Sequence, residues 1–207
     1  MAKLKIHAFP DLVLTQKAQP IEKVEARHRK LSEDMLETMY ATPGIGLAAN
    51  QVGVLERIVV IDVDFDYEDY EPGMEVPEGG DLIGTHVILK KNPRVIINPE
   101  ITHREGKSMS SEGCLSVPEY TAEVQRSEKI TLEYLDLDGK KQILEAEGLL
   151  SYCIQHEMDH LDGKLFIDRL SPLKKEMVKK KLRKARLDDE EAYLSGHADL
   201  TPPQKKH

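Results

Sequence analysis

The stretch LLSYCIQHEMDHLDG, residues 149–163, decides how the rest of this chain is read. Leu149, Leu150, Ile154 and Leu161 make it too apolar for a solvated surface helix, and it is long enough to be a buried one. Gly163 stands just past its end, where helices commonly close. On such a helix His156 and His160, four residues apart, share a face and can offer two imidazoles to one tetrahedral ion. Glu157 follows the first histidine by about 100° of helical rotation, which sets its carboxylate beside the ion's open position rather than on it. A carboxylate so placed suits general-base work.

A catalytic metal site needs a third protein ligand and leaves a fourth position for water. The chain has two cysteines, and both compete for the role. Cys153 lies one turn before His156, whereas Cys114 sits far off in EGCLSVP at 112–118. Spacing alone leaves the choice open. A thiolate from a separate segment ties two parts of the fold together, which favours Cys114 and leaves Cys153 as a small buried hydrophobe. A third segment, GIGLAANQVG at 44–53, has glycines that let backbone pass close to a ligand. Within it Asn50 or Gln51 can aim an amide at developing negative charge.

The remaining pattern predicts an α+β fold. Short, mostly antiparallel strands pack around the central metal-binding HExxH helix, with one helix N-terminal and another C-terminal to them. After Pro20, suited to a first helical position, Val24, His28, Leu31, Met35 and Met39 keep helical step until Thr42-Pro43-Gly44 stops them. RIVVI (57–61), HVILK (86–90) and RVIIN (94–98) read as strands, and Asp138-Gly139 turns ITLEYLD back through KKQILEA as a hairpin. Ser171-Pro172 opens a last helix with the apolar stripe Leu173, Met177, Val178, Leu182 and Ala185. One domain is expected over 1–187, including an acidic surface insertion at 62–85 and a basic C-terminal helix at 171–187; a disordered tail is expected over 188–207.

A chain of 207 residues with 40% apolar and 32% charged side chains fits one ordinary soluble domain that buries a real core. Two cysteines are too few for a disulfide framework, and the N-terminus lacks a secretory signal, so a cytoplasmic location with reduced thiols is expected. No apolar run approaches the roughly 20 residues that cross a bilayer, which excludes membrane insertion. The net charge of −8 argues against nucleic-acid binding, sequence-specific or general. That charge is uneven: residues 62–81 hold nine acids and no base, while residues 174–186 hold eight bases and one acid.

Together the three segments resemble the peptide deformylases, which show GxGLAAxQ, EGCLS and QHExDH in that order. All three are intact, and the resemblance spans about residues 5–185. It implies metal ligation by Cys114, His156 and His160, acid/base work by Glu157, and oxyanion stabilisation by the Gln51 side chain with the Leu115 backbone N–H. It implies one divalent ion per chain, iron(II) in the family, although zinc, nickel or cobalt suit the same donors. The implied substrate is the formyl-methionine of nascent polypeptides, hydrolysed to formate and a free amino terminus. The peptide would pair with backbone at Ile45 and Gly46 on one side and Gly113 on the other. Its methionine side chain would enter a pocket walled by Tyr152, Cys153 and His156. Similar basic C-terminal helices in the family imply the ribosome as a partner. The departures are the acidic insertion after Ile61 and Tyr120-Thr121, where some relatives carry an arginine near the substrate backbone; both bear on subsite preference.

Three rival readings share parts of this pattern. A zincin-type endopeptidase also carries HExxH, but its third ligand lies downstream, and Glu176, Glu190, Glu191 and His197 fall in a basic helix, its acidic end or the tail. A silent module that only docks at the ribosome has no use for Glu157 and Gln51. A metal buffer does not need an open water position.

Overall fold

The computed structural model describes residues 3–194. It divides into two compact units, Met1–Arg169 and Leu170–His207, where the sequence pattern suggests one domain over 1–187.

The core of the first unit is organised around β2 (Ile58–Ile61), whose four residues are all fully buried. Side chains alternate along a strand, so Ile58 and Val60 pack with Met35 and Met39 of α1 (Ala26–Tyr40). Val59 and Ile61 pack on the opposite face with Ile154 and Leu161 of α2 (Gly148–Leu161). A strand covered on both faces reads as an unbroken apolar run, and IVVI is one. β2 belongs to a five-stranded antiparallel sheet with β1 (Gly46–Ala48), β6 (Arg94–Glu105), β9 (Lys129–Leu135) and β10 (Lys141–Glu147), in the order β1-β2-β6-β9-β10. β1 is therefore an edge strand. The expected hairpin is the β9–β10 pair, in which the Asp136 carboxylate caps the turn by accepting from the Asp138 and Lys140 N–H groups.

Helix α1 begins at Ala26, not at Pro20. The side chain of Asn98, 77 residues away, accepts from the Ile21 N–H and donates to the Ile21 carbonyl, which holds the chain non-helical there. The helix starts where the Glu25 N–H donates to Nδ1 of His28, three residues on.

The acidic stretch 62–85 carries regular structure. β3 (Asp66–Asp69) and β4 (Asp81–Ile83) flank β5 (His86–Leu89) in a three-stranded antiparallel sheet. Local propensity for strand is low in DYED, and the pairing rests on contacts with the segment after it. Asp66 meets Lys90, Asp69 meets His86, and an aromatic series runs Tyr40–Phe65–Tyr67–His86. The third sheet is the pair β7 (Ser108–Cys114) and β8 (Val117–Arg126), joined by a tight turn at Leu115-Ser116. In the second unit α3 runs Pro172–Leu194, seven residues past the expected end of the basic helix at 187 and into the stretch expected to be disordered. The rest of that expected tail lies outside the described residues. Among the described residues no helix is long and apolar enough to cross a membrane.

Candidate metal centre

Helix α2 buries Cys153, Ile154, His156, Glu157 and His160. Its last turns meet the end of β7, and there Cys114 reaches the two histidines. One ligand atom from each of Cys114, His156 and His160 lies within 4.8 Å of the others. The Cys114 Sγ to His160 Nε2 distance is 3.2 Å. Cys153 is not part of this group; its Sγ lies 3.5 Å from the Ile45 carbonyl oxygen, which it faces as a donor.

The donors fit a divalent ion in charge as well as place. Burial pushes the Cys114 thiol up, but the charge of His160 and hydrogen bonds from both imidazoles outweigh it and bring the thiol down to about 5. It is a thiolate at neutral pH, the form that ligates. His156 uses Nδ1 against the Glu112 carboxylate at 2.9 Å, which leaves Nε2 for an ion. Nδ1 of His160 is buried without a hydrogen-bond partner.

Glu157 is buried, and its Oε2 has no hydrogen-bond partner. Burial raises its carboxyl against the opposing pull of His156 and His160. The carboxylate sits against β1 at Gly46, where an added Cβ would lie 2.5 Å from Glu157 Oε1 and 2.8 Å from Cys153 Sγ. Only a residue without a side chain leaves that space.

Gln51 lies in a 3-10 turn, Ala49–Val52, closed by Gly53 in the left-handed region. Its Oε1 accepts from the Ala48 N–H at 2.8 Å, so the NH₂ points the other way. That group donates to Ser116 Oγ at 3.1 Å and stands 3.6 Å from Cys114 Sγ. Asn50 instead donates to the Gln16 carbonyl and is structural.

A cavity of 480 Å³ joins these parts. Ile45, Gly46, Gln51, Gly113, Cys114, Leu115, Tyr152, Cys153, His156 and Glu157 all line it. Of the residues singled out from sequence for the site, His160 and Asn50 do not; both are buried. The edge strand β1 forms one border. The Ile45 carbonyl accepts from the Asp62 N–H on the β2 side, so strand alternation turns the N–H and C=O of Gly46 towards the open edge. Across the cavity the β7–β8 register breaks between Glu112 and Cys114, and Gly113 has no partner in the ladder.

Sequence reasoning passed over the residues that hold the candidate ligands. Glu112 orients His156 and is itself gripped by both nitrogens of an Arg126 fork, at 2.6 and 2.8 Å. Leu149, Ser110 and Ser111 complete the cavity wall. For Glu112 the available signal was a carboxylate two residues before a ligating cysteine; nothing local marked Arg126.

Comparison with known proteins points to one family. The family model described as polypeptide deformylase matches residues 3–176. The peptide deformylase of Nitrosococcus oceani is 48% identical over 184 residues, covering 89% of this chain and 96% of that protein. Peptide deformylase 2 of Xanthomonas campestris is 49% identical over 189 residues, covering 90% and 98%. Among solved structures, the peptide deformylase of Ehrlichia chaffeensis superposes with a TM-score of 0.74 at 38% identity, covering 91% of this chain and 99% of that one. The Legionella pneumophila peptide deformylase gives 0.72 at 42% identity, covering 91% and 98%. With a family match over residues 3–176 and relatives 48% and 49% identical along most of both chains, the chain belongs to the polypeptide deformylase family.

Proposed function

We propose that this chain hydrolyses the formyl group from the N-terminal formyl-methionine of nascent polypeptides, with Cys114, His156 and His160 holding one divalent ion and Glu157 moving the proton. The observation that carries the reading is the coincidence, at one cavity and its wall, of a thiolate and two imidazoles, a buried carboxylate with an unpartnered oxygen, and an open strand edge. The chemistry that a divalent ion held by these residues would supply is a water far more acidic than in bulk, with a pKa brought down to about 7.

Every other step falls to the chain. The substrate backbone adds to the free edge of β1 at Gly46 and meets Gly113 opposite, which lays the formyl carbon over the ligand set. The methionine side chain enters the wall formed by Ile45, Tyr152 and Cys153. Glu157 takes the proton of the attacking water, and its raised affinity for that proton suits it to hand the same proton to the departing amine. The Gln51 NH₂ and the Leu115 N–H stand as donors for the oxyanion; loss of one such donor typically costs about 10²–10³ in turnover. Iron(II) is the ion the family implies, and zinc, nickel and cobalt suit the same donors. A cytoplasmic location and docking at the ribosome through α3 belong to the same reading.

Metal-loaded protein should release formate from a formylated methionyl tripeptide. Glu157→Gln should keep the ion and the fold yet lose about 10²–10⁴ in turnover. No formate from the loaded wild type overturns the activity, and near-normal turnover in Glu157→Gln overturns the role of that residue alone.

A further inference from the structure

A chain of buried charges runs from the candidate metal ligand to the protein surface, and its last member lies outside every motif. His156 Nδ1 contacts Glu112, and Arg126 grips Glu112 with two nitrogens. The third Arg126 nitrogen donates to Asp159 Oδ2 at 2.7 Å. Asp159 lies on α2 between the two histidines but faces away from the cavity, and its carboxylate is shared. Arg169 approaches it with Nε on Oδ2 and a terminal nitrogen on Oδ1, both at 2.5 Å. The side chains of Glu112, Arg126 and Asp159 are 6%, 1% and 7% exposed, while that of Arg169 is 42% exposed.

The charge balance gives Arg169 its importance. Two carboxylates and two guanidinium groups neutralise one another, three of the four in a space that water barely enters and Arg169 closing the group from the solvent side. Without Arg169, Arg126 is left as the guanidinium hydrogen-bonded to both Glu112 and Asp159, while Arg104 acts on Asp159 through charge alone. Buried carboxylates are costly unless paired, so the Arg126 fork is drawn towards whichever is left short. Any movement of that fork loosens Glu112, and Glu112 fixes the tautomer and ring plane of His156.

We infer that Arg169 is a positioning residue for the metal centre: its bidentate hold on Asp159 keeps Arg126 seated on Glu112 and so keeps His156 aimed at the ion. This rests on the reading of Cys114, His156 and His160 as ligands. Arg169 does not line the cavity, so its effect reaches the reaction only through the ligand set. A second route is available to a substitution at this position, because Phe166, in the same 3-10 turn (Phe166–Arg169), stacks on the His156 ring with centroids 6.0 Å apart. The test has to separate the two.

The test uses full-length protein loaded with cobalt(II), whose visible absorption reports both ligand geometry and loss of the ion to excess chelator. Arg169→Ala should release cobalt about tenfold faster than wild type, the lower end of the range seen when outer partners of metal ligands are removed. Arg169→Lys should recover only part of this, because an ammonium restores the charge without the fork. The KM for a formylated tripeptide should stay near wild type while kcat falls. Glu112 and Arg169 share no hydrogen bond, so independent action gives additive effects of Glu112→Gln and Arg169→Ala on the release rate. The relay predicts that the double variant releases cobalt little faster than Glu112→Gln alone. Wild-type release from Arg169→Ala, full recovery in Arg169→Lys, or additivity with Glu112→Gln each overturns the inference; additivity points to the Phe166 route instead. Wild-type protein that retains no cobalt removes the ligand reading itself, and the inference with it.

Discussion

Replacing Gly46 by alanine tests how closely the proposed general base is fitted to the strand beside it. Its φ lies outside the left-handed region, so the backbone accepts alanine and the obstacle is space alone. The new Cβ would stand 2.5 Å from Glu157 Oε1, 2.9 Å from its Cδ and 2.8 Å from Cys153 Sγ, whereas ordinary contact begins at 3.4 Å. Relief requires the carboxylate to retreat by about 0.9 Å, the difference between 3.4 and 2.5 Å. A displacement of about 1 Å at a catalytic group costs on the order of 10²-fold in rate, or about 2.7 kcal/mol of barrier. Crowding of this kind also costs roughly 1–3 kcal/mol of stability. Alanine keeps the N–H and C=O that face the open edge, so substrate pairing survives and the loss should fall on kcat rather than KM. The assay is formate release at saturating tripeptide, with bound metal counted in the same sample. Adding Cys153→Ala removes the sulfur contact but not the carboxylate contact, so it should recover stability more than turnover. A Gly46→Ala protein with kcat within about twofold of wild type would refute the argument that this close approach seats Glu157.

Three further outcomes follow from the same geometry. Cys114→Ser should weaken metal binding far more than Cys153→Ser, since Cys114 alone stands in the ligand group; equal loss in dialysis against a chelator reopens the choice of ligand. In metal-free protein, alkylation of Cys114 by iodoacetamide, followed by mass spectrometry, should rise through about pH 5 and be flat by neutral pH. Burial and the Glu157 charge raise the Cys153 thiol, which should stay unlabelled until unfolding; a Cys114 rate that still climbs between about pH 7 and 9, as an ordinary thiol's does, contradicts the thiolate–imidazolium pair. Charge reversal at Lys179, Lys180, Lys181 and Arg183 should abolish salt-sensitive cosedimentation with ribosomes and leave tripeptide turnover unchanged, and cosedimentation that survives the reversal disposes of docking through α3.

Elements whose causes are local were legible in the sequence. α2 carries its own apolar face, and the β9–β10 hairpin carries its own turn, so neither needed distant information. β8 shows where that reading runs out. Ala122, Val124 and Arg126 are its buried alternate residues, and the third is an arginine, so a period-two apolar pattern ends while the strand is still fully enclosed. The residue that hid the strand is the one whose fork holds Glu112. β3 was illegible for a different reason. Asp66–Asp69 is exposed throughout, and its pairing depends on His86–Leu89 and on Lys90, which no local window contains. The start of α1 was set by Asn98, 77 residues downstream, against the local hint of Pro20.

The same division separates the two layers of the site. The candidate metal ligands and the proposed proton carrier are legible because the chemistry restricts residue type and spacing together: imidazoles four apart, a carboxylate between them, a thiolate elsewhere. The groups that aim those ligands face a looser requirement. Any carboxylate can orient an imidazole, and any guanidinium can hold a carboxylate, so Glu112, Arg126 and Arg169 look like three of many surface charges until the fold brings them together. Burial then reverses their meaning. A salt bridge in solvent contributes about 0–1 kcal/mol and tolerates loss of either partner. In this chain Glu112 and Arg126 are almost wholly enclosed, so removal of one member leaves a buried charge short of a partner beside a candidate ligand. Substitutions in this outer layer should therefore act first on retention of the ion and only secondarily on the fold.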